Sequence, residues 1–294
     1  METVAYGGWT NCIRLTNGKI ELIATTDVGP RIIKLSFVGG KNFMKEFPDH
    51  MGKSGGDQWR SYGGHRFWHA PEMRPRTYAP DNSPIEFKWD NETLKLIQPV
   101  EPSTGLQKEM HVTMDPKSNR VEVVHRLTNK NQWAVEAAPW ALTVMTGPGR
   151  AIFPQEPAVN ELLPVRAMAM WGYTDMRDSR WIWGTKYIQV RCDAKANTPQ
   201  KIGLMNTLGW GGYYRDGELF LKKFPFDPKA TYPDFGCNTE CYTRGDMLEV
   251  ESLGALKKIE PNQSIKHVEQ WSLTKVELDE KEESLDKKLA PLLK

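Results

Sequence analysis

Apolar and polar residues alternate along this chain in short runs, separated by Gly, Pro, Asn and Asp, and long helical periodicity is nearly absent. Residues 12–26 and 31–38 read as a hairpin about Asp27-Val-Gly-Pro30; Ile33, Leu35 and Phe37 share one face of the second arm. Strands follow near 86–89, 93–98, 106–114, 120–128 and 133–146, then near 186–192, 201–207, 210–215, 218–224, 246–253 and 265–275. Residues 147–184 read as irregular, with Trp171, Tyr173, Asp175, Asp178 and Trp181 as candidate loop contacts. With neither linker nor repeat, residues 1–276 read as one all-β domain, a sandwich or barrel. Residues 277–294 form a charged tail with helical character.

Two strands carry ionisable groups on apolar faces. His125 falls in phase with Val121, Val123 and Leu127, and the default for it is a buried, hydrogen-bonded ring. His267 and Glu269 fall in phase with Ile265, Trp271 and Leu273. Such groups must be paired or must line a cavity.

The densest chemistry lies in Tyr62-Gly-Gly-His-Arg-Phe-Trp-His-Ala-Pro-Glu72. Gly63-Gly64 and Pro71 leave too few free residues for a stable helix. Read as a strand, the stretch puts His65, Phe67 and His69 on one face and Arg66 and Trp68 on the other. Its bland reading is an aromatic-rich edge strand with hydrogen-bonded His. Polar loops enter and leave it, over 48–62 and 74–84, and supply material for a rim or lid.

Two further segments offer carboxylates. Alternation in Met247-Leu-Glu-Val-Glu-Ser-Leu253 aligns Glu249 and Glu251 on one face, although Glu-x-Glu strands commonly show such charges to water. Tyr232-Pro-Asp-Phe-Gly-Cys-Asn-Thr-Glu-Cys-Tyr242 reads as a loop bearing Asp234 and Glu240 beside three aromatic rings. As an ordinary turn it would use Asp234 to cap backbone amides.

Composition narrows the partners. A net charge of +2 on 294 residues gives no ground for a nucleic-acid or membrane partner. Eleven Trp suit the stacking of sugar C–H faces as well as the filling of a β core. Four sparse Cys fit reduced thiols, and the first residues lack a signal-peptide pattern, so a cytoplasmic location is expected. There is no dinucleotide fingerprint, phosphate-cradling Gly loop, His-Glu-x-x-His or Gly-x-Ser-x-Gly, and no cofactor is expected.

Asp27–Ile33, Gly63–Glu72, Ala138-Pro-Trp-Ala-Leu-Thr143, Tyr232–Asn238 and Leu248–Gly254 together resemble a bacterial family related to the galactose mutarotase (aldose 1-epimerase) superfamily, over about residues 6–275. The resemblance implies a large, mostly antiparallel β-supersandwich that binds carbohydrate on a concave face. It also implies a Glu base on a strand near the C-terminus, a role falling to Glu251, or to Glu249 if the register slips. The superfamily's acid His, in an Asn-His-x-Tyr-Phe motif, has no counterpart at Ala138–Leu142.

The leading expectation is a carbohydrate-active enzyme of epimerase, lyase or hydrolase type, acting on a sugar or uronic-acid unit by general acid–base catalysis. His65, His69, Glu240 and Glu251 are its catalytic candidates. Arg31, Arg66, Trp68, Glu72, Trp140, Asp234, Glu249 and His267 are its substrate-binding candidates. The alternative is a non-catalytic carbohydrate-binding protein. A third reading takes His65, His69 and Glu72 as metal ligands, although alternation puts Glu72 out of phase with the two His.

Overall fold

The computed structural model describes residues 1–158 and 162–294. Two sheets, of eleven and ten strands, pack face to face, and every strand pair among the described residues is antiparallel. The eleven-stranded sheet runs from Glu2–Tyr6 at one edge to Met168–Met170 at the other. Its centre is five adjacent strands, in the order His65–Ala70, Val135–Thr146, Met247–Leu253, Thr239–Arg244 and Gln200–Leu204. Segments distant in sequence therefore lie side by side. The all-β sandwich expected from the alternation is present, and a short helix, Glu282–Leu289, follows it.

The expected strands at 86–89, 106–114, 120–128, 210–215, 246–253 and 265–275 lie in place within a residue or so. Three regions differ. The first hairpin arm is itself two strands, Trp9–Thr16 and Ile20–Thr25, because the Asn17 side chain accepts the Lys19 and Ile20 amides and Gly18 takes a φ of 83°. Residues 147–184 are not wholly irregular; they contribute Gly149–Pro154, Met168–Met170 and Trp181–Trp183. The loop read over Tyr232–Tyr242 ends early, and Thr239–Arg244 is a strand that carries Glu240. Gly63 and Gly64 start the His65 strand where the chain squeezes past its neighbours. A Cβ on Gly63 would meet the Lys45 carbonyl at 1.9 Å, and one on Gly64 the Ile32 carbonyl at 2.2 Å.

The apolar core between the sheets includes Phe43, Phe67, Met110, Phe153, Phe220 and Trp271. The helix Glu282–Leu289 docks outside it, burying Leu285 and Leu289 with Tyr187, Trp210, Leu219 and Leu221. Glu282 accepts the amides of Lys186 and Tyr187 at 2.6 and 2.9 Å. Among the described residues no helix is long and apolar enough to cross a membrane.

One polar network crosses the core. Glu269, fully buried, accepts Lys222 Nζ at 2.8 Å, Trp271 Nε1 at 2.8 Å and the Ser252 hydroxyl at 2.5 Å. Burial alone would raise its pKa; the Lys222 ammonium, foremost, outweighs burial and holds it ionised. The donors and acceptors assign the tautomers. His125 Nδ1–H reaches the His267 carbonyl at 3.2 Å, so His125 Nε2 accepts from His65 Nε2–H at 2.7 Å. His65 Nδ1 then accepts the Thr143 hydroxyl at 2.8 Å, and His267 Nε2–H donates to Ser252 Oγ at 2.7 Å. All three rings are thus neutral and satisfied. Burial, above all, holds His125 at about 4, His267 at about 3 and His65 well below its ordinary value.

Acid should break this network first. The unfolded imidazoles titrate near 6.5, so the unfolded chain takes up protons before the folded one. Stability is therefore present above about pH 6.5 and lost toward pH 4, by up to about 1.4 kcal/mol per pH unit for each His. Urea denaturation between pH 7.5 and 4.5 should record that steep fall; a flat profile would contradict the neutral-imidazole assignment.

Candidate functional site

Cross-strand register assembles the outer face of the eleven-stranded sheet. Trp68 and Arg66 lie opposite Trp140 and Leu142, and Leu142 lies opposite Glu251. Glu251 and Glu249 lie opposite Glu240 and Tyr242, and Tyr242 lies opposite Lys201. Directly paired residues share a face. Five strands thus project two Trp, one Tyr, three Glu, one Arg and one Lys to the same side.

Of these, Arg66, Trp68, Trp140, Lys201, Tyr242 and Glu249, but not Glu240 or Glu251, border a cleft of about 830 Å³, walled also by Trp59, Tyr78, Trp171 and Tyr173. Its size suits a small-molecule ligand. On one wall, Arg66 is 4% exposed, lies over the Trp68 ring at 4.4 Å, and reaches Glu249 through Nη2 at 2.9 Å. Its Nε and Nη1 have no hydrogen-bond partner among the described residues. Trp68 packs edge-on against Trp59, Tyr78 and Trp140, with centroids 5.0–5.4 Å apart. Glu72, on the rim, accepts the Tyr78 hydroxyl.

Beneath the opposite wall lies a carboxyl pair. Glu240 and Glu251 are fully buried, and Lys201 stands between them and the open cleft. Lys201 Nζ lies 2.7 Å from Glu240 Oε2 and 3.8 Å from Glu251 Oε2, over the rings of Trp140 at 4.8 Å and Trp171 at 4.4 Å. The Glu240 contact is a charge contact without alignment, since neither Glu240 oxygen accepts a directed hydrogen bond. Glu251 Oε2 accepts Trp140 Nε1–H at 2.8 Å, while its Oε1 has no partner.

The electrostatics follow from burial. It raises the Glu251 pKa to about 7, against the pull of Lys201, Arg66 and the Trp140 N–H and with the push of Glu249. Burial raises Glu240 further, because only Lys201 opposes it while Glu251 and Asp234 add to it. The 2.7 Å contact alone would make Glu240 the ion of the pair. Glu251 is the better ion, because it has three stabilising partners and Glu240 has one. Burial opposes the Lys201 charge, but Glu251 and Glu240 outweigh it and raise its pKa. Glu240, Glu249 and Glu251 with Arg66 and Lys201 make three carboxyls and two cations, so the cluster is neutral when it holds one proton.

The face assignment read from alternation in the His65 strand is correct, and it takes the two His away from the cleft. His65 belongs to the inter-sheet network with His267. His69 is 1% exposed on the same inner face, and burial, aided by Lys108 and Arg76, pushes it down to about 2. Neither His65, His69 nor His267 borders the cleft. Arg31 is fully buried and is held by Asp81 and the Gly63 carbonyl, both at 2.6 Å. Asp234 sits in a left-handed turn (φ 49°) outside the cleft lining. Glu72 is on the rim while His65 and His69 lie between the sheets, so these three are not brought together. Among the described residues the grouping with metal-ligand spacing is His65, His125 and Glu269, and its hydrogen bonds already close without an ion. Arg66, Trp68, Glu72, Trp140 and Glu249 do line the cleft, as do the loop residues Trp171 and Tyr173. Sequence reasoning missed Lys201, Trp59 and Tyr78. The only signal for Lys201 was a Lys inside the otherwise apolar strand Lys-Ile-Gly-Leu204.

No protein-family model matches the chain, and no curated protein matches it either. Solved structures do. A galactose mutarotase related enzyme from Lactobacillus acidophilus superposes with a TM-score of 0.57 at 9% identity, over 91% of this chain and all of that one. The chain has the galactose mutarotase-like fold. A galactose mutarotase-like protein from Lactobacillus casei gives a TM-score of 0.54 at 9% identity, over 90% of this chain and all of the other. A TPR-domain containing protein from Parabacteroides distasonis gives 0.60 at 14% identity over 91% of this chain, which spans about half (48%) of that protein. In this mutarotase-like chain the outer face of the eleven-stranded sheet, not the inter-sheet layer, presents the cleft.

The two buried acids, Glu240 and Glu269, should respond very differently to neutral replacement. Glu240→Gln replaces a group already holding a proton and should change unfolding free energy by less than about 1 kcal/mol. Glu269→Gln strands Lys222 and should cost roughly 3–5 kcal/mol. Chemical denaturation of both variants at pH 7.5 checks the contrast; equal losses would contradict the proton placement.

Proposed function

We propose that this protein is a carbohydrate-active enzyme that uses Glu240 and Glu251 as acid and base on a sugar or uronic-acid unit bound in the cleft, most simply interconverting the anomers of a reducing sugar. The observation that carries this reading is the fully buried cross-strand pair Glu240 and Glu251 beneath the cleft wall, with Lys201 as the cation between them and burial raising Glu251 to about 7. A general base works best when its pKa lies near the operating pH. The mutarotase-like fold and the neighbour called a galactose mutarotase related enzyme support the same class of ligand, although fold alone does not dictate chemistry.

Ring opening balances on these two groups. Glu251 takes the proton of the anomeric hydroxyl, the C1–ring-oxygen bond breaks as the carbonyl forms, and Glu240 protonates the departing ring oxygen. After rotation about C1–C2 the transfers reverse and close the ring on the other face. The cluster holds one proton throughout, so its charge never changes. Trp68 offers a stacking surface, and the unpartnered N–H groups of Arg66 offer donors to hydroxyls or to a uronic carboxylate. Access to the carboxyls requires the Lys201 stem to swing out of the Trp140–Trp171 clamp with its ammonium kept beside Glu251 as counter-ion, which its four-carbon stem permits.

One-dimensional proton NMR with freshly dissolved aldoses, hexose phosphates and uronic acids tests this reading. Accelerated anomer exchange is expected, falling at least about 100-fold in Glu251→Gln and in Glu240→Gln. His69→Ala should leave exchange by the folded fraction unchanged. Line broadening without exchange would instead favour the non-catalytic binding protein; full activity in Glu251→Gln would remove that residue from the mechanism.

A further inference from the structure

The geometry points to Lys201 as the positioning residue of this site: its ammonium, clamped between Trp140 and Trp171 against both carboxyls, is the shared counter-ion that keeps one of Glu240 and Glu251 ionised as the base. This inference rests on the acid–base reading above. Three observations carry it. Lys201 is the cation that contacts both carboxyls, at 2.7 and 3.8 Å, whereas Arg66 is committed to Glu249 at 2.9 Å. Two indole faces fix its ammonium, at 4.8 and 4.4 Å, so its position is set by packing and not by the carboxyls alone. It also lines the cleft, whereas Glu240 and Glu251 do not.

The groups that act on Glu251 come from every neighbouring element. Glu249 lies on its own strand and Glu240 on the adjacent one, with Asp234 acting on Glu240 from the preceding turn. Arg66 lies two strands away, the Trp140 N–H donates from the strand between, and Tyr173 faces it from the loop. From the interior come Cys241 and, on the other sheet, Lys222, whose Nζ is tied to Glu269 and the Val250 carbonyl. Of the cations among them, Arg66 and Lys222 are each held by another carboxylate. Lys201 is the one shared between the pair, so without it two adjacent buried carboxyls face each other with no common counter-ion. Both then favour the neutral form, and the base is lost near neutral pH.

Carboxyl NMR of protein labelled with 13Cδ-glutamate, with Glu251 assigned by its loss in Glu251→Gln, tests this without any substrate. Wild type should show Glu251 titrating near 7. In Lys201→Met that titration should move up by at least about one pH unit, a tenfold change in the proton equilibrium. Lys201→Arg, which keeps the charge, should restore it to within about half a unit. Lys201→Gln carries the same test as the Met variant should the latter not fold. A Glu251 titration unmoved in a folded neutral variant would overturn the inference. Absence of anomer exchange by wild type, with the expected titration shifts present, would overturn the proposed function and leave the role of Lys201 standing.

Discussion

A carboxylate sealed between two sheets must find its partners inside the protein, and Glu269 sets that demand for this fold. Its two oxygens take Lys222, Trp271 and Ser252, and His65, His125, Thr143 and His267 complete the chain of donors and acceptors. Three of these groups, His65, Thr143 and Ser252, sit on the inner faces of the strands whose outer faces carry Arg66, Leu142 and Glu251. The network thus fixes the backs of the site strands and pins one sheet's register to the other. An apolar core tolerates sliding; a closed hydrogen-bond circuit tolerates very little.

On the opposite side of the same strands, burial again sets the chemistry, with a different outcome. Glu269 meets enough donors and cations to stay ionised. Glu240, Glu249 and Glu251 meet only two cations between them, and burial raises Glu240 and Glu251. The inner network is therefore fully committed, and the outer cluster is the one we propose to move a proton. One sheet thus carries a structural polar layer on one face and the carboxyl cluster on the other.

Much of this was legible in the sequence. Period-two alternation located most strands, separated His65 from Arg66, and put Glu249 in phase with Glu251. The apolar company of His125, His267 and Glu269 marked them as needing internal partners. What alternation cannot supply is which face looks outward. The dense Gly-Gly-His-Arg-Phe-Trp-His stretch drew attention to its His, yet its Arg and Trp are the residues at the cleft. Glu240 was read into a loop because Gly236 and Pro233 precede it, while pairing with Met247–Leu253 and Gln200–Leu204 makes its segment a strand. Lys201 was invisible for a similar reason, since its meaning comes from Glu240, Glu251, Trp140 and Trp171, which lie 30 or more residues away in sequence.

The central claim is that the carboxyl cluster, rather than the histidines, meets the ligand. A crystal structure of the protein soaked with a reducing sugar tests it most directly. The expected result is the sugar ring against Trp68, a hydroxyl or carboxylate on Arg66, Lys201 turned out of its clamp, and the anomeric and ring oxygens within hydrogen-bond reach of Glu251 and Glu240. A sugar seated elsewhere, or one seated in the cleft over carboxyls still capped by Lys201, would contradict it.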